Sequence, residues 1–263
     1  MAGTADPATE PNTPIAMCAG GISLVGVTRV LGGRIVLAGL DLHVSPGGRV
    51  GIVGRSGVGK STLLSLVAGL DEPDAGRVTV AGETSAAGRL ARCALMPQRD
   101  CLLPWRSALD NACLALENRG VPRSEARGRA AVLFERFGLA EAEGLRPVRL
   151  SGGMRQRVAF VRTLLAGKEV LLLDEPFGAL DAITRAELQE WLAAALEGEP
   201  RTVLLVTHDV EEALLVCDTV VVLRGGRVAA EFDARIACEG TRREIVTSPA
   251  FVELRERALE AIG

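Results

Sequence analysis

The sequence predicts an α/β fold built on a mainly parallel sheet covered on both faces, and three observations lead there. Short runs rich in Val, Ile and Leu, at residues 49–53, 169–173, 202–207 and 219–223, alternate with longer amphipathic segments. These runs are apolar through their centres, as strands buried on both faces are. The first three lead into polar or glycine-rich turns followed by a helical pattern, which is where open α/β sheets place ligands.

The elements follow in order. Residues 1–19 read as a flexible N-terminal tail. Residues 22–29 and 35–44 read as antiparallel strands joined through Gly32 and Gly33, and 77–81 as a further edge strand. A helix is expected over 61–70, directly after the glycine-rich turn that ends the 49–53 strand. Residues 107–145 turn helical: Ser107 and Asp110 form a capping box, and Val132, Leu133, Phe134 and Phe137 supply an apolar face. This is a helical insertion in the larger domain, with a helical subdomain over about 100–165. Residues 231–263 form a C-terminal extension, in which Ser248 caps a helix begun by Pro249. Its Phe251, Leu254, Ala258 and Ile262 recur on one side and dock it onto the domain.

Composition removes several function classes. The chain has 263 residues, enough for one large or two small domains, with 30 basic and 33 acidic side chains and a formal charge of −3. That balance offers no basic field for gripping a polyanion, so nucleic acid is not expected as a partner. The six cysteines, at 18, 93, 101, 113, 217 and 238, contain no C-x-x-C pair and are accompanied by only two histidines. They read as small core residues of a reducing compartment. No apolar run approaches the roughly 18 residues of a membrane span.

Two phosphate-binding patterns carry the chemistry. Gly54, Arg55, Ser56, Gly57, Val58, Gly59, Lys60 and Ser61 spell G-x-x-x-x-G-K-S between a buried strand and a helix that continues with Thr62. Glycines let backbone N–H groups close around phosphate oxygens, and the helix N-terminus adds partial positive charge. Lys60 is one of only two lysines against 28 arginines, a compact charge where a rigid guanidinium fork would not fit. Ser61 is the expected Mg²⁺ ligand. At the end of another buried strand, Asp174 is assigned to Mg²⁺, directly or through water, and Glu175 to orienting or deprotonating the attacking water. The second pattern, Leu150, Ser151, Gly152, Gly153 with Gln156, again opens an amphipathic helix. One nucleotide has one γ phosphate, already served by the first loop, so the second cluster needs another molecule's nucleotide. A dimer with shared sites follows.

With these residues in place, the chain resembles the ATP-binding subunits of ATP-binding-cassette (ABC) transporters over about residues 20–230. Five motifs stand in that family's order: the Walker A loop at 54–61, Gln98, the signature at 150–156, the Walker B end Asp174 and Glu175, and the Thr207, His208, Asp209 run; residues 178–181 match its D-loop. The resemblance implies a P-loop NTPase fold of the ABC ATPase type, with a mixed, mostly parallel core sheet, an N-terminal antiparallel β subdomain and a helical signature subdomain. It implies a homodimer enclosing two ATP molecules, in which Ser151, Gly152, Gly153 and Gln156 complete the partner's site. Gln98 would sense Mg²⁺ and the attacking water, His208 would contact the γ phosphate, and Asp181 would line the interface. On the residues alone, Gln98 is a strand-end loop residue and His208 a polar group at a helix start. One departure concerns the base. The position where the family stacks an aromatic ring on adenine holds Leu31, and the chain has no Tyr; an aliphatic contact lacks the roughly 1 kcal/mol that a flat ring face adds.

A chain without spans passes its work to other polypeptides. Residues 101–110 hold Trp105 in an apolar, proline-stiffened loop, read either as core packing or as an anchor for a partner helix. The resemblance places permease docking there. Residues 102–106 and 174–184 look most like the branch that imports nitrate, taurine and other sulfonates, or pyrimidine precursors of thiamine. That branch implies transmembrane permease subunits, an extracytoplasmic solute-binding protein, and a peripheral position on the cytoplasmic face of the cell membrane. Two other readings compete: a non-transport ABC ATPase, mechanical or regulatory, and a P-loop small-molecule kinase.

Overall fold

The structure, a computed structural model, describes residues 20–178, 180–196, 200–235 and 242–263. The expected tail over 1–19, with Cys18, and Cys238 in the C-terminal extension lie outside the described residues. Strands β1 (Ile22–Leu31) and β2 (Arg34–Val44) form the expected antiparallel hairpin. The chain then enters a second sheet as β3 (Arg49–Val53), opens helix α1 (Lys60–Ala68), and returns as β4 (Ala75–Val80) on the other side of β1. The first sheet therefore runs β2-β1-β4, all antiparallel. Gly69 ends α1 one residue before the reach of the sequence pattern, its N–H closing onto Leu66 and Ser65 carbonyls.

Helix α2 (Ala86–Arg92) and strand β5 (Cys93–Met96) lead into the helical insertion. There α3 (Ala108–Ala112), α4 (Leu114–Asn118) and α5 (Arg123–Arg136) pack against α6 (Gly152–Leu165). Ser107 caps α3 by accepting from Asp110 N–H, as expected, while the Asp110 carboxylate is held by Arg123 and Arg127 of α5. Phe134 and Phe137 are buried, but Val132 is 66% exposed and does not belong to the apolar face assigned to it. The buried positions of α5, Ala126, Ala130 and Phe134, recur at a spacing of four, and Val132 lies about 200° around the helix from Phe134.

The rest of the chain builds the large sheet: β6 (Val170–Asp174), α7 (Ala182–Leu196), β7 (Thr202–Thr207), α8 (Val210–Val216), β8 (Thr219–Arg224) and β9 (Arg227–Asp233). Its order is β5-β6-β7-β3-β8-β9, parallel except for β9. The central strands feed two cores. Leu171, Leu173, Val203 and Leu205 face the helical side, and Val170, Leu172, Leu204 and Val206 face α1 and the antiparallel sheet. Burying each such side chain stabilises the fold by about 1.5–3 kcal/mol, which is why the centres of the runs are apolar and Arg49, Thr202, Thr207 and Thr219 stand at strand ends. After α9 (Arg242–Thr247), helix α10 (Pro249–Ile262) is capped by Ser248 and docks on β8, β9 and α8 through Phe251, Leu254 and Ala258.

Candidate active site

Four neighbouring strand ends assemble the site. In the sheet order β5-β6-β7-β3, the residues following each parallel strand are Gln98, Glu175, His208 and the Gly54–Ser61 loop. The registers Met96 to Leu173, Asp174 to Val206 and Val53 to Thr207 level those ends. With strands about 4.8 Å apart, the four ends span about 14 Å. No sequence pattern shows this adjacency, since β3 and β7 stand some 150 residues apart in the chain.

The phosphate loop is shaped by glycine where nothing else fits. Gly57 has φ +80° and open space around it, while Gly59, the N-cap of α1, has φ +108° and is walled in. A Cβ at Gly59 would stand 2.9 Å from Val36 Cγ1 and 3.0 Å from both Leu37 Cδ2 and the Val36 carbonyl oxygen. The loop is thus pressed onto β2, and exposed Leu31 lies at the end of the same hairpin. Arg55 and Ser56 are exposed at the loop's crest, Val58 is half-buried, and Thr62 follows Ser61 in the first turn of α1. Lys60 is only 6% exposed, its Nζ donating to the Gly54 carbonyl at 2.8 Å and the Arg55 carbonyl at 3.2 Å. Burial lowers its pKa, and the nearby carboxylates Glu175 and Asp174 oppose that shift.

Beside Lys60, the Ser61 hydroxyl donates to Asp174 Oδ1 at 3.3 Å. Burial pushes the Asp174 carboxyl upward and the Ser61 hydrogen bond pulls it back. Among the described residues no three His, Cys, Asp or Glu side chains form a cluster able to hold a metal. A hydroxyl and one carboxylate fit Mg²⁺, which keeps several waters and fills its octahedron with substrate phosphate oxygens. Glu175 follows at φ +44°, its N–H donating to the Val206 carbonyl at 2.8 Å. A non-glycine residue in this region is strained by about 1–3 kcal/mol and is held by its surroundings. Its Oε2 lies 2.7 Å from His208 Nδ1. With Glu175 ionised, the ring must carry its proton on Nδ1 and donate it, leaving Nε2 as an acceptor when the ring is neutral.

The signature residues lie at the start of α6. Ser151 caps α6 by accepting from Met154 N–H at 3.2 Å. Gly152 and Gly153 pack so closely on Leu180 and Thr184 that a Cβ on either would approach 3.0 Å. Asp181 accepts from the N–H groups of Ile183 and Thr184, and those bonds hold its carboxyl below the usual range. Gln98 is exposed and shares a cavity of about 500 Å³ with Arg99, Asp100, Gly152, Arg155, Gln156, Gly178 and Leu180. Gln156 is buried, with its Oε1 unpartnered.

Sequence reasoning missed the residues that join these parts. Arg155 donates to Asp100 Oδ2 at 3.1 Å and to the Leu150 carbonyl at 2.8 Å, and Arg162 donates to the Cys101 and Asp100 carbonyls at 2.9 and 2.6 Å. The loop after Gln98 is thereby strapped to α6. The available signal was their seven-residue spacing, which places both arginines on one helix face. The same loop corrects two expectations. Cys101, at φ +47°, is exposed and not a core residue, whereas Cys93, Cys113 and Cys217 are buried. Trp105 is 69% exposed, which removes core packing as its role.

Comparison with known proteins agrees with this layout. The family described as ABC transporter matches residues 37–178. The chain belongs to that family. This ABC ATPase is 43% identical over 259 residues to the aliphatic sulfonates import ATP-binding protein of Cupriavidus necator, covering 97% of the chain and 82% of the relative. It is 51% identical over 203 residues to a protein of the same description from Rhodococcus jostii, covering 77% and 79%. To the taurine import ATP-binding protein of Rhizobium johnstonii it is 44% identical over 215 residues, covering 80% and 82%. Among solved structures, a dimeric ATP-binding cassette in a post-hydrolysis state with ADP and phosphate superposes with a TM-score of 0.70 at 30% identity, covering 81% of this chain and 99% of that one. The expected fold and the expected sulfonate and taurine branch agree with these likenesses. A non-transport ABC ATPase and a small-molecule kinase are not favoured by them.

Proposed function

We propose that this ATPase powers a bacterial importer of aliphatic sulfonates or taurine, working as a homodimer on the cytoplasmic face of the membrane against separate permease subunits. The observation that carries the reading is the row of four strand ends, with Lys60, Ser61, Asp174, Glu175 and His208 converging on one loop. The loop N–H groups and Lys60 would hold the phosphates of ATP. Ser61 and Asp174 would hold Mg²⁺, with Gln98 reaching it from the β5 side; the ion neutralises phosphate charge when bound. Glu175 would orient and deprotonate water, and His208 would meet the γ phosphate through Nε2, donating to it when the ring carries a proton on both nitrogens.

The second helix start, at Ser151, Gly152, Gly153 and Gln156, supports a shared site completed by a second copy, as does the dimeric relative. Asp181 would stand at that interface. Exposed Trp105 supports a permease contact through the loop that carries it. No helix among the described residues is long and apolar enough to cross a membrane, in keeping with a peripheral subunit. The names of the relatives support the cargo, whose delivery by an extracytoplasmic solute-binding protein is part of the same proposal.

Glu175→Gln is the test. The variant should bind ATP, hydrolyse it at least a hundredfold more slowly, and sediment as a dimer with ATP present, about the loss expected when a positioned base is removed. Hydrolysis at the parent's rate would show that Glu175 does not handle the water.

A further inference from the structure

A buried carboxylate stands behind the catalytic turn and has no part in the reading above. Glu212, in the first turn of α8, is 2% exposed. Its Oε2 accepts from the Thr207 hydroxyl, and Thr207 Oγ1 in turn accepts from the Asp209 N–H at 3.1 Å. These contacts bracket His208 on both sides. Across the helix layer, the Gln189 side chain of α7 hydrogen-bonds the same carboxylate and the charge of Arg185 favours its ionised form. Arg185 Nη2 also donates to the Leu180 carbonyl at 3.1 Å, one residue before Asp181.

A first-turn carboxylate needs no special account when it is solvated, because it complements the helix dipole. Glu211 fills that role on the surface, where it pairs with Arg255 at 2.8 Å. Glu212 does not, since it is removed from water and burial pushes its carboxyl up to about 6. A group held at that penalty, one hydroxyl away from the Asp209 N–H, fixes the turn through His208 in one geometry.

We propose that Glu212 is a positioning residue for hydrolysis: through Thr207 it sets the turn that aims His208 at Glu175, and through Gln189 and Arg185 it ties that turn to the start of α7. The proposal rests on the assignment of His208 to hydrolysis, and two independent readouts separate them. The chain has only two histidines, His43 and His208, so ring ¹⁵N resonances are assigned by one substitution and His43, exposed on β2, is the internal control.

In Thr207→Val and in Glu212→Ala the His208 ring resonances should move while those of His43 stay fixed. For both variants kcat should fall about tenfold or more, with KM for ATP within about twofold of the parent. Thr207→Ser, which restores the hydroxyl, should recover both readouts. Unmoved His208 resonances in both variants, with only a lower melting temperature, would overturn the proposal. A moved ring with unchanged kcat would keep Glu212 as the holder of His208 and overturn the part of His208 in hydrolysis.

Discussion

Two alanine substitutions in the phosphate loop should differ by an amount the structure sets. Gly57→Ala places a Cβ in open space at φ +80°, so its cost is the backbone alone, about 1–2 kcal/mol. Gly59→Ala bears a similar backbone cost at φ +108° and drives its Cβ to 2.9 Å from Val36 Cγ1 and 3.0 Å from the Val36 carbonyl oxygen. Overpacking of that kind adds about 1–3 kcal/mol, and a backbone oxygen cannot swing aside as a flexible side chain can. At about 2–4 °C per kcal/mol for a chain of this size, Gly59→Ala should melt about 2–12 °C below Gly57→Ala. Thermal denaturation by circular dichroism reads the difference, and binding of a fluorescent ATP analogue reads the loop. Nucleotide affinity should fall further in Gly59→Ala, because relieving the clash moves the first turn of α1 and the amides that face phosphate. Equal melting temperatures, or a Gly59→Ala protein that binds the analogue like the parent, would refute the packing of this loop on β2.

Other outcomes follow from single residues. Burial raises the folded-state pKa of Glu212 to about 6, with Asp209 adding to the shift and Thr207, Arg185 and Gln189 opposing it. The folded protein thus holds a proton that the unfolded chain releases near pH 4.5, and this group's ionisation removes stability as pH rises from about 4.5 to 6, by about 2 kcal/mol. Glu212→Gln should therefore gain stability relative to the parent between pH 5 and 7 in urea titrations, and a constant difference would deny the buried charge. Trp105→Ala should leave the melting temperature of the isolated protein nearly unchanged. Trp191→Ala should cost about 2–4 kcal/mol, because its ring meets Phe137 and Phe160 edge-on at 4.9 and 5.2 Å; equal melting temperatures for the two variants would contradict this. A maleimide should label Cys101 and spare Cys93 and Cys113, whose thiols burial pushes to about 12 and about 11. Peptide mapping that finds Cys93 labelled in the native protein would contradict its packing.

What was readable in the sequence divides along physical lines. Strands buried on both faces announce themselves, and β3, β6, β7 and β8 lie within a residue of the apolar runs that define them. Strand β5, Cys93–Met96, has no β-branched residue and follows a helix built of Ala, Gly, Leu and Arg, so neither element stood out. The phosphate loop was legible because its chemistry is local, seven residues on from Gly54 to Ser61. Interactions between distant segments were not. The Glu175 to His208 contact spans 33 residues and the strap from Arg162 to Cys101 spans 61. Glu212 was hidden for another reason: two adjacent glutamates at a helix start look alike on paper, and only the packed α7 distinguishes the wet one from the dry one. Val132 and Trp105 show the converse, since hydrophobicity alone does not say which way a side chain faces.

The strap between α6 and the loop after Gln98 has a mechanical consequence. Arg155 and Arg162 stand seven residues apart, about 10.5 Å along the helix axis; both grip Asp100, and Arg162 holds Cys101 as well. Fastened at two points, the loop cannot pivot on a single joint. A pull on Asp100 is therefore shared between the two arginines, and Ser151 caps the N-terminal end of the helix on which they stand.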